Sequence, residues 1–167
     1  MPRNVEIKAR LADLASARAI AAGLGARFEW DDEQIDRYYE LDGGRRLKLR
    51  TARGSAELIR YDRPETAGVR VSAYEISPVR DDAAACLVPT TRPVATVRKR
   101  RELWRLGNVR IHLDSVATLG LFVEFEAVVD AAHDEAYCRA EVDRLLVAFG
   151  IAETDCLRAS YGELVAG

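Results

Sequence analysis

The sequence predicts an α+β fold dominated by an antiparallel sheet, and three observations carry that reading. Eight or nine short segments alternate apolar and polar residues, the period-2 signature of strands. Most are joined by short turns rich in Gly, Asp or Ser, which suit hairpins and are too short for parallel crossovers. Two longer stretches place apolar residues at helical spacing, one early between strands and one after the last strand, which adds two helices to the antiparallel sheet.

The first strand is Asn4 to Arg10, with Glu6, Lys8 and Arg10 on one face and Val5, Ile7 and Ala9 on the other. Asp13 can cap a helix reaching about Leu24, with Gly25 at its end and Leu14, Ala17, Ile20, Ala21 and Leu24 on its apolar face. Arg27 to Trp30 is strand-like, Asp31-Asp32-Glu33 reads as a loop, and Gln34 to Leu41 as a strand ended by the turn Asp42-Gly43-Gly44. Arg45 to Thr51 follows, with Arg46, Lys48 and Arg50 opposite Leu47 and Leu49. A tight turn at Gly54-Ser55 leads into Ala56 to Asp62. Residues 63–68 read as a loop and Val71 to Pro78 as a strand. A single helical turn fits residues 79–93. Val94 to Leu106 and Val109 to Ser115 form a hairpin about Gly107-Asn108, and Leu119-Gly120 turns into a strand running to Val129. Asp134 can cap a second helix through Phe149, closed by Gly150, and a shorter helix is expected from about Thr154 to Val165.

Composition narrows the class. The chain has 167 residues, 49% hydrophobic and 31% charged, which favours a single globular domain over residues 1–167. Twenty-five basic against 27 acidic residues give a net charge of −2, which argues against a general nucleic-acid binder. Cys86, Cys138 and Cys156 are odd in number and far apart, so neither a disulfide framework nor a zinc site is indicated. With no run long enough to span a bilayer and no signal-peptide pattern after Met1, a cytoplasmic protein without a membrane partner is expected.

The charged faces are the unusual feature. Glu124 and Glu126 share a face away from Val123, Phe125 and Ala127, and Arg110, His112 and Asp114 share another. Carboxylates repeated at i, i+2 in otherwise apolar strands are costly unless water, arginine or a metal ion meets them. If the sheet closes, these faces line a polar interior, and eight strands leave room for side chains or one small ligand. There is no Walker-type phosphate loop; Gly43-Gly44 is a hairpin turn.

In order along nearly the whole chain, these residues resemble the CYTH superfamily of triphosphate tunnel metalloenzymes. The resemblance rests on Asn4-Val5-Glu6-Ile7-Lys8 against an E-x-E-x-K strand and on Asp36-Arg37-Tyr38-Tyr39 against D-x-Y-F/Y. Lys48-Leu49-Arg50 and Lys99-Arg100-Arg101 match its basic strands. The most specific stretch is Leu113 to Glu126, which matches L-D-x-V-x-x-L-G-x-F-x-E-x-E. The resemblance implies a closed eight-stranded antiparallel β-barrel, a triphosphate tunnel, with flanking helices. It further implies Mg²⁺ or Mn²⁺ on Glu6, Asp114, Glu124 and Glu126, since hard cations take carboxylate oxygens. A triphosphate or polyphosphate would be held by Lys8, Lys48, Arg50, Arg60, Lys99, Arg101 and Arg110, with Lys8 and Tyr38 the catalytic candidates. Tyr38 can orient a water or simply pack; His112 can contact phosphate or hold a structural hydrogen bond; His133 is expected to be exposed. Arg98 and Arg100 should face outward.

Two departures from the family pattern bear on the site. Asn4 stands where the pattern has its first glutamate, which removes a negative charge and bears on whether one or two metals bind. The lysine of a Y-K-x-P-like segment is replaced in Tyr61-Asp62-Arg63-Pro64, leaving Arg60 or Arg63 as its substitute. The resemblance implies a metal-dependent triphosphatase acting on inorganic, nucleoside or thiamine triphosphate. The alternatives are a class IV adenylyl cyclase or a catalytically silent polyphosphate- or nucleotide-binding module, and a homodimer is open.

Overall fold

A computed structural model describes residues 2–41, 45–62, 69–79 and 92–166. The turn expected at Asp42-Gly43-Gly44, the loop at 63–68 with Arg63, most of the 79–93 segment and Cys86 lie outside the described residues. The strands are β1 (Arg3–Arg10), β2 (Arg27–Leu41), β3 (Arg45–Ala52), β4 (Ser55–Asp62), β5 (Arg70–Val79), β6 (Ala95–Leu106), β7 (Val109–Val116) and β8 (Gly120–Val129). The helices are α1 (Leu14–Gly23), α2 (Glu135–Ala148) and α3 (Tyr161–Ala166). The strands close a barrel in the order β1-β5-β4-β3-β2-β6-β7-β8, and every pairing is antiparallel. Two hairpin meanders, β2 to β5 and β6 to β8, are joined directly through β2–β6 and through β1, which sits between β5 and β8.

The main apolar core lies outside the barrel wall. Val5, Ile7 and Ala9 of β1, Val109, Ile111 and Leu113 of β7, and Val123, Phe125 and Ala127 of β8 turn outward. They are covered by Ala17 and Ala21 of α1 and by Cys138, Val142 and Leu145 of α2. Each fully buried large aliphatic or Phe side chain contributes roughly 1.5–3 kcal/mol, so this layer holds helices and barrel together while leaving the lumen to polar residues. Asp13 caps α1 by accepting from the Ala15 and Ser16 amides, Asp134 caps α2 by accepting from the Tyr137 amide, and Gly25 and Gly150 follow in the left-handed region.

A second apolar cluster sits at one end of the barrel, where Tyr38, Ala95, Val97, Val116, Phe122 and Tyr161 pack together. α3 packs across this end. Ser160 and Glu163 cap it reciprocally: the Glu163 amide donates to Ser160 Oγ at 3.2 Å and the Ser160 amide to Glu163 Oε2 at 2.6 Å. Gly162 lies flat on the Tyr38 ring, where a Cβ would come within 2.7 Å.

Three boundaries differ from the sequence expectation. β2 runs unbroken through Asp31-Asp32-Glu33, with a bulge between Phe28 and Trp30, because arginines meet its acids: Asp31 pairs with Arg100 and Asp32 with Arg53. The β3–β4 turn is Arg53-Gly54, both at positive φ (50° and 70°) as a type I′ turn requires, one residue before the expected Gly54-Ser55. The expected helix from Thr154 to Val165 is a 3₁₀ turn at Glu153–Asp155, an irregular stretch and then α3. Among the described residues no helix is long and apolar enough to cross a membrane.

Candidate active site

Strand register sets the site. Glu6 of β1 stands opposite Glu126 of β8, and Lys8 opposite Glu124. On the other flank of β8, Arg110 of β7 faces Glu126 and His112 faces Glu124. Alternation turns all of these side chains into the lumen. One carboxylate oxygen each of Glu6, Glu124 and Glu126 lies within 4.8 Å of the others.

Each of the three acids also meets a cation. Lys8 Nζ donates to Glu124 Oε1 at 2.9 Å, and Arg101 Nη2 to Glu124 Oε2 at 2.7 Å. Glu126 Oε2 lies 3.0 Å from Arg110 Nε and 3.2 Å from His112 Nε2, and Arg70 Nε donates to Glu6 Oε1 at 3.3 Å. Burial pushes the Glu124 and Glu126 carboxyls up, but the surrounding cations overcome it. Lys8 and Arg101 hold Glu124 well below the usual range, and His112 and Arg110 bring Glu126 to about 2. Burial, reinforced by Arg101, lowers His112.

The facing wall is basic. β3 contributes Lys48 and Arg50, β6 contributes Lys99 and Arg101, and two buried aspartates anchor them. Arg50 grips Asp36 with two 2.8 Å hydrogen bonds, while Lys48 and Lys99 stand 3.8 and 3.7 Å from the same carboxylate. Arg101 grips Asp114 at 2.7 and 2.6 Å, Lys99 lies 3.6 Å away, and Tyr161 donates its hydroxyl at 2.9 Å. Burial raises both carboxyls in isolation, yet these cations hold them well below the usual range. Burial and the neighbouring Arg50 bring Lys48 down to about 8, and burial with Arg101 holds Lys99 well below its usual value.

Together the walls enclose a cavity of about 450 Å³ whose lining has eight arginines and lysines against five carboxylates. Lys8, Lys48, Arg50, Lys99, Arg101, Arg110, Glu6, Glu124 and Glu126 all line it, and Arg98 and Arg100 point outward and are exposed. Asp114 lies outside the three-carboxylate group, with both oxygens engaged by the basic wall. Arg60 does not reach the cavity: the strand turns Ile59 inward and Arg60 outward, where it is exposed and pairs with Glu75 at 2.9 Å. Tyr38 lines the end under α3, with its ring against Gly162. His133 is part-exposed and pairs with Asp130 at 2.9 Å.

The sequence reading passed over several contributors. Arg70 opens β5 one residue before the expected start, and its alternation with Ser72 and Tyr74 was the available signal. Asp36 stood in a quoted motif with no role assigned. Tyr161 is fully buried with its ring 4.2 Å from Lys8 Nζ and 5.2 Å from Lys99 Nζ, a tertiary contact with no local signal. Asn4 is buried at the cavity wall; with its amide oxygen turned to Arg110 it accepts from Nη2 at 2.9 Å, and its nitrogen donates to the Arg3 carbonyl at 3.1 Å.

The CYTH domain family matches residues 2–161. The chain belongs to the CYTH family. A Methanocaldococcus jannaschii protein named as a putative adenylate cyclase is 30% identical over 73 residues, which is 44% of this chain and 42% of that one, so the match spans less than half of either. Among solved structures, a Pyrococcus horikoshii OT3 protein superimposes with a TM-score of 0.84 at 23% identity, covering 97% of this CYTH chain and 99% of that one. A Hippeastrum protein, described as a putative adenylyl cyclase with a dominant triphosphatase activity, gives 0.62 at 13% identity, covering 90% and 89%. At these identities the structural likeness establishes the shared CYTH fold.

Proposed function

We propose that the chain is a divalent-metal-dependent phosphohydrolase that cleaves the terminal phosphoryl group of a small triphosphate-bearing molecule held inside the barrel. The observation that carries this reading is the inward convergence of Lys48, Arg50, Lys99 and Arg101 on one wall and Glu6, Glu124 and Glu126 on the other, around one cavity. The carboxylate donor set suits a hard ion such as Mg²⁺ or Mn²⁺, and Glu6, Glu124 and Glu126 would hold it. When bound, the ion supplies Lewis-acid neutralisation of phosphate charge.

The remaining work falls to side chains already in place. The basic wall binds the non-bridging phosphate oxygens, and because Asp36 and Asp114 fix its cations, little reorganisation is needed as charge builds on the transferring group. Lys8, held between Glu124 and the Tyr161 ring, presents its ammonium to the same phosphates. Water attacks the terminal phosphorus, the bond to the bridging oxygen breaks, and orthophosphate leaves with the shortened substrate.

A second reading is favoured by the named Methanocaldococcus relative: attack by the ribose 3′-hydroxyl of ATP on the α-phosphorus, releasing cyclic AMP and pyrophosphate. It uses the same charge shell but shifts the register of the phosphates along it. Incubation with inorganic triphosphate, ATP and thiamine triphosphate, with Mg²⁺ or Mn²⁺, separates the two by product. Orthophosphate is expected; cyclic AMP with pyrophosphate would transfer the conclusion to cyclisation. Tight binding without turnover under either metal would overturn both and leave a binding module.

A further inference from the structure

The cavity changes character along the barrel axis. At the end away from α3 its lining gains aromatic and apolar surface, with Trp30, Tyr74 and Ile76 set among Arg53, Asp32 and Arg105. β2 runs past the β3–β4 hairpin there: Gln34 pairs with Ala52 on the last rung before the turn, so Trp30 projects beyond the hairpin tip. Arg53, in that turn, lays its guanidinium over the indole with Cζ 5.1 Å from the ring centroid. Two contacts hold it in place: Nε 3.1 Å from Asp32 Oδ2, and Nη2 donating to the Asp31 carbonyl at 3.1 Å. Arg53 is also one of only two non-glycine residues with positive φ among the described residues, a backbone state that a bulky side chain adopts at a cost.

We propose that Trp30 and Arg53 form a stacking platform for a neutral heteroaromatic base, making nucleoside triphosphates the preferred substrate class. The inference rests on the triphosphate reading above and deepens it. Four residues at roughly 3.3 Å each put Trp30 about 13 Å along β2 from the rung where Gln34 meets Lys99. That is too far for a group of the triphosphate itself and suits a base separated from the phosphates by a pentose. Indole and guanidinium planes both stack on nucleobases. Inorganic triphosphate has nothing to place there. Ile76, nearly half exposed on the rim, supplies apolar surface that a base would cover.

The test uses Trp30 as its own reporter. The other tryptophan, Trp104, lies against the outer core and is replaced by Phe so that Trp30 alone is read. ATP should quench or shift Trp30 emission at saturation, whereas inorganic triphosphate should leave it nearly unchanged. Trp30→Ala and Arg53→Gly, the latter compatible with the turn, should each raise KM for ATP by roughly tenfold, the scale of one base-stacking contact. KM for inorganic triphosphate should stay as in the parent. An equal rise for both substrates, no change for ATP, or the same emission response to inorganic triphosphate overturns the platform. If no triphosphate is turned over, the hydrolase reading fails by itself, and the emission titration, which reads binding, still decides the platform.

Discussion

The two walls of the lumen both contain acids, but they use them in opposite ways. On the basic wall Asp36 and Asp114 are fully inaccessible, with every carboxylate oxygen committed to arginine, lysine or Tyr161. On the acidic wall Glu6, Glu124 and Glu126 keep some accessibility and bring three carboxylates to one point in the cavity. Side-chain length accounts for much of the difference. The short aspartates stay at the wall and set the positions of cations, whereas the longer glutamates reach the lumen, where an ion or a phosphate can compete for them. Acids of the first kind should matter to stability, and acids of the second kind to chemistry.

The sharpest break of that contrast is on the acidic wall. Glu124→Gln with Glu126→Gln should lower metal-dependent turnover by about 10³-fold, the scale of several kcal/mol of lost charge stabilisation. Mn²⁺ binding measured calorimetrically should fall with it, while circular dichroism and thermal melting should show a folded barrel. Undiminished turnover would remove the metal assignment. On the basic wall the signature should be reversed. Asp36→Ala removes the carboxylate that Arg50 grips with two hydrogen bonds, and breaking such a buried pair costs roughly 3–5 kcal/mol. Urea unfolding should therefore show a large drop in midpoint. A variant as stable as the parent would mean that Asp36 is not a structural counterion.

A smaller effect follows from Lys48, whose ammonium titrates near 8 instead of 10.5 because burial and Arg50 disfavour its charge. Between those two values the unfolded chain holds the proton more firmly than the folded one, so Lys48's contribution to stability rises with pH across that window. Triphosphate binding has the opposite slope, because the anion wants Lys48 charged. Affinity should fall by up to about tenfold per pH unit as pH rises above about 8, with proton uptake on binding. Calorimetry at pH 9 in two buffers of different ionisation enthalpy measures that uptake, and Lys48→Arg should remove Lys48's share, leaving any from Lys99, which burial and Arg101 also lower. Affinity that is flat with pH in the parent would contradict a charged Lys48 at the phosphates.

What could be read in advance follows the same division. The inward faces of β1, β7 and β8 were legible because their outward faces pack on α1 and α2, so apolar residues recur at every second position. The acidic trio could be named for the same reason. The continuity of β2 was not legible, because Asp31 and Asp32 are neutralised by Arg100 and Arg53, whose proximity appears only when β6 and the β3–β4 turn close around them. The C-terminal stretch was misread for a similar cause: Tyr161 and Gly162 are fixed by Asp114 and the Tyr38 ring, far away in sequence. Asp114 belongs to the same sequence motif as Glu124 and Glu126, and only the register of β6 against β7 shows Arg101 across from it.

The smallest expected effect is also the cleanest control on which arginines face the lumen. Arg50 and Arg60 both lie on strands of the basic side of the barrel, and sequence alone favoured each as a phosphate ligand. Arg50 is turned inward and clamped to Asp36, while Arg60 is exposed on the outer face and pairs with Glu75. An exposed pair of that kind contributes about 0–1 kcal/mol. Arg60→Ala should therefore leave KM for any triphosphate unchanged and shift stability by less than about 1 kcal/mol. Arg50→Ala, in contrast, should weaken triphosphate binding and also destabilise the barrel, because it removes two hydrogen bonds from the buried Asp36 carboxylate. A raised KM in the Arg60 variant would place that side chain in the lumen and remove the inward and outward assignment of β4.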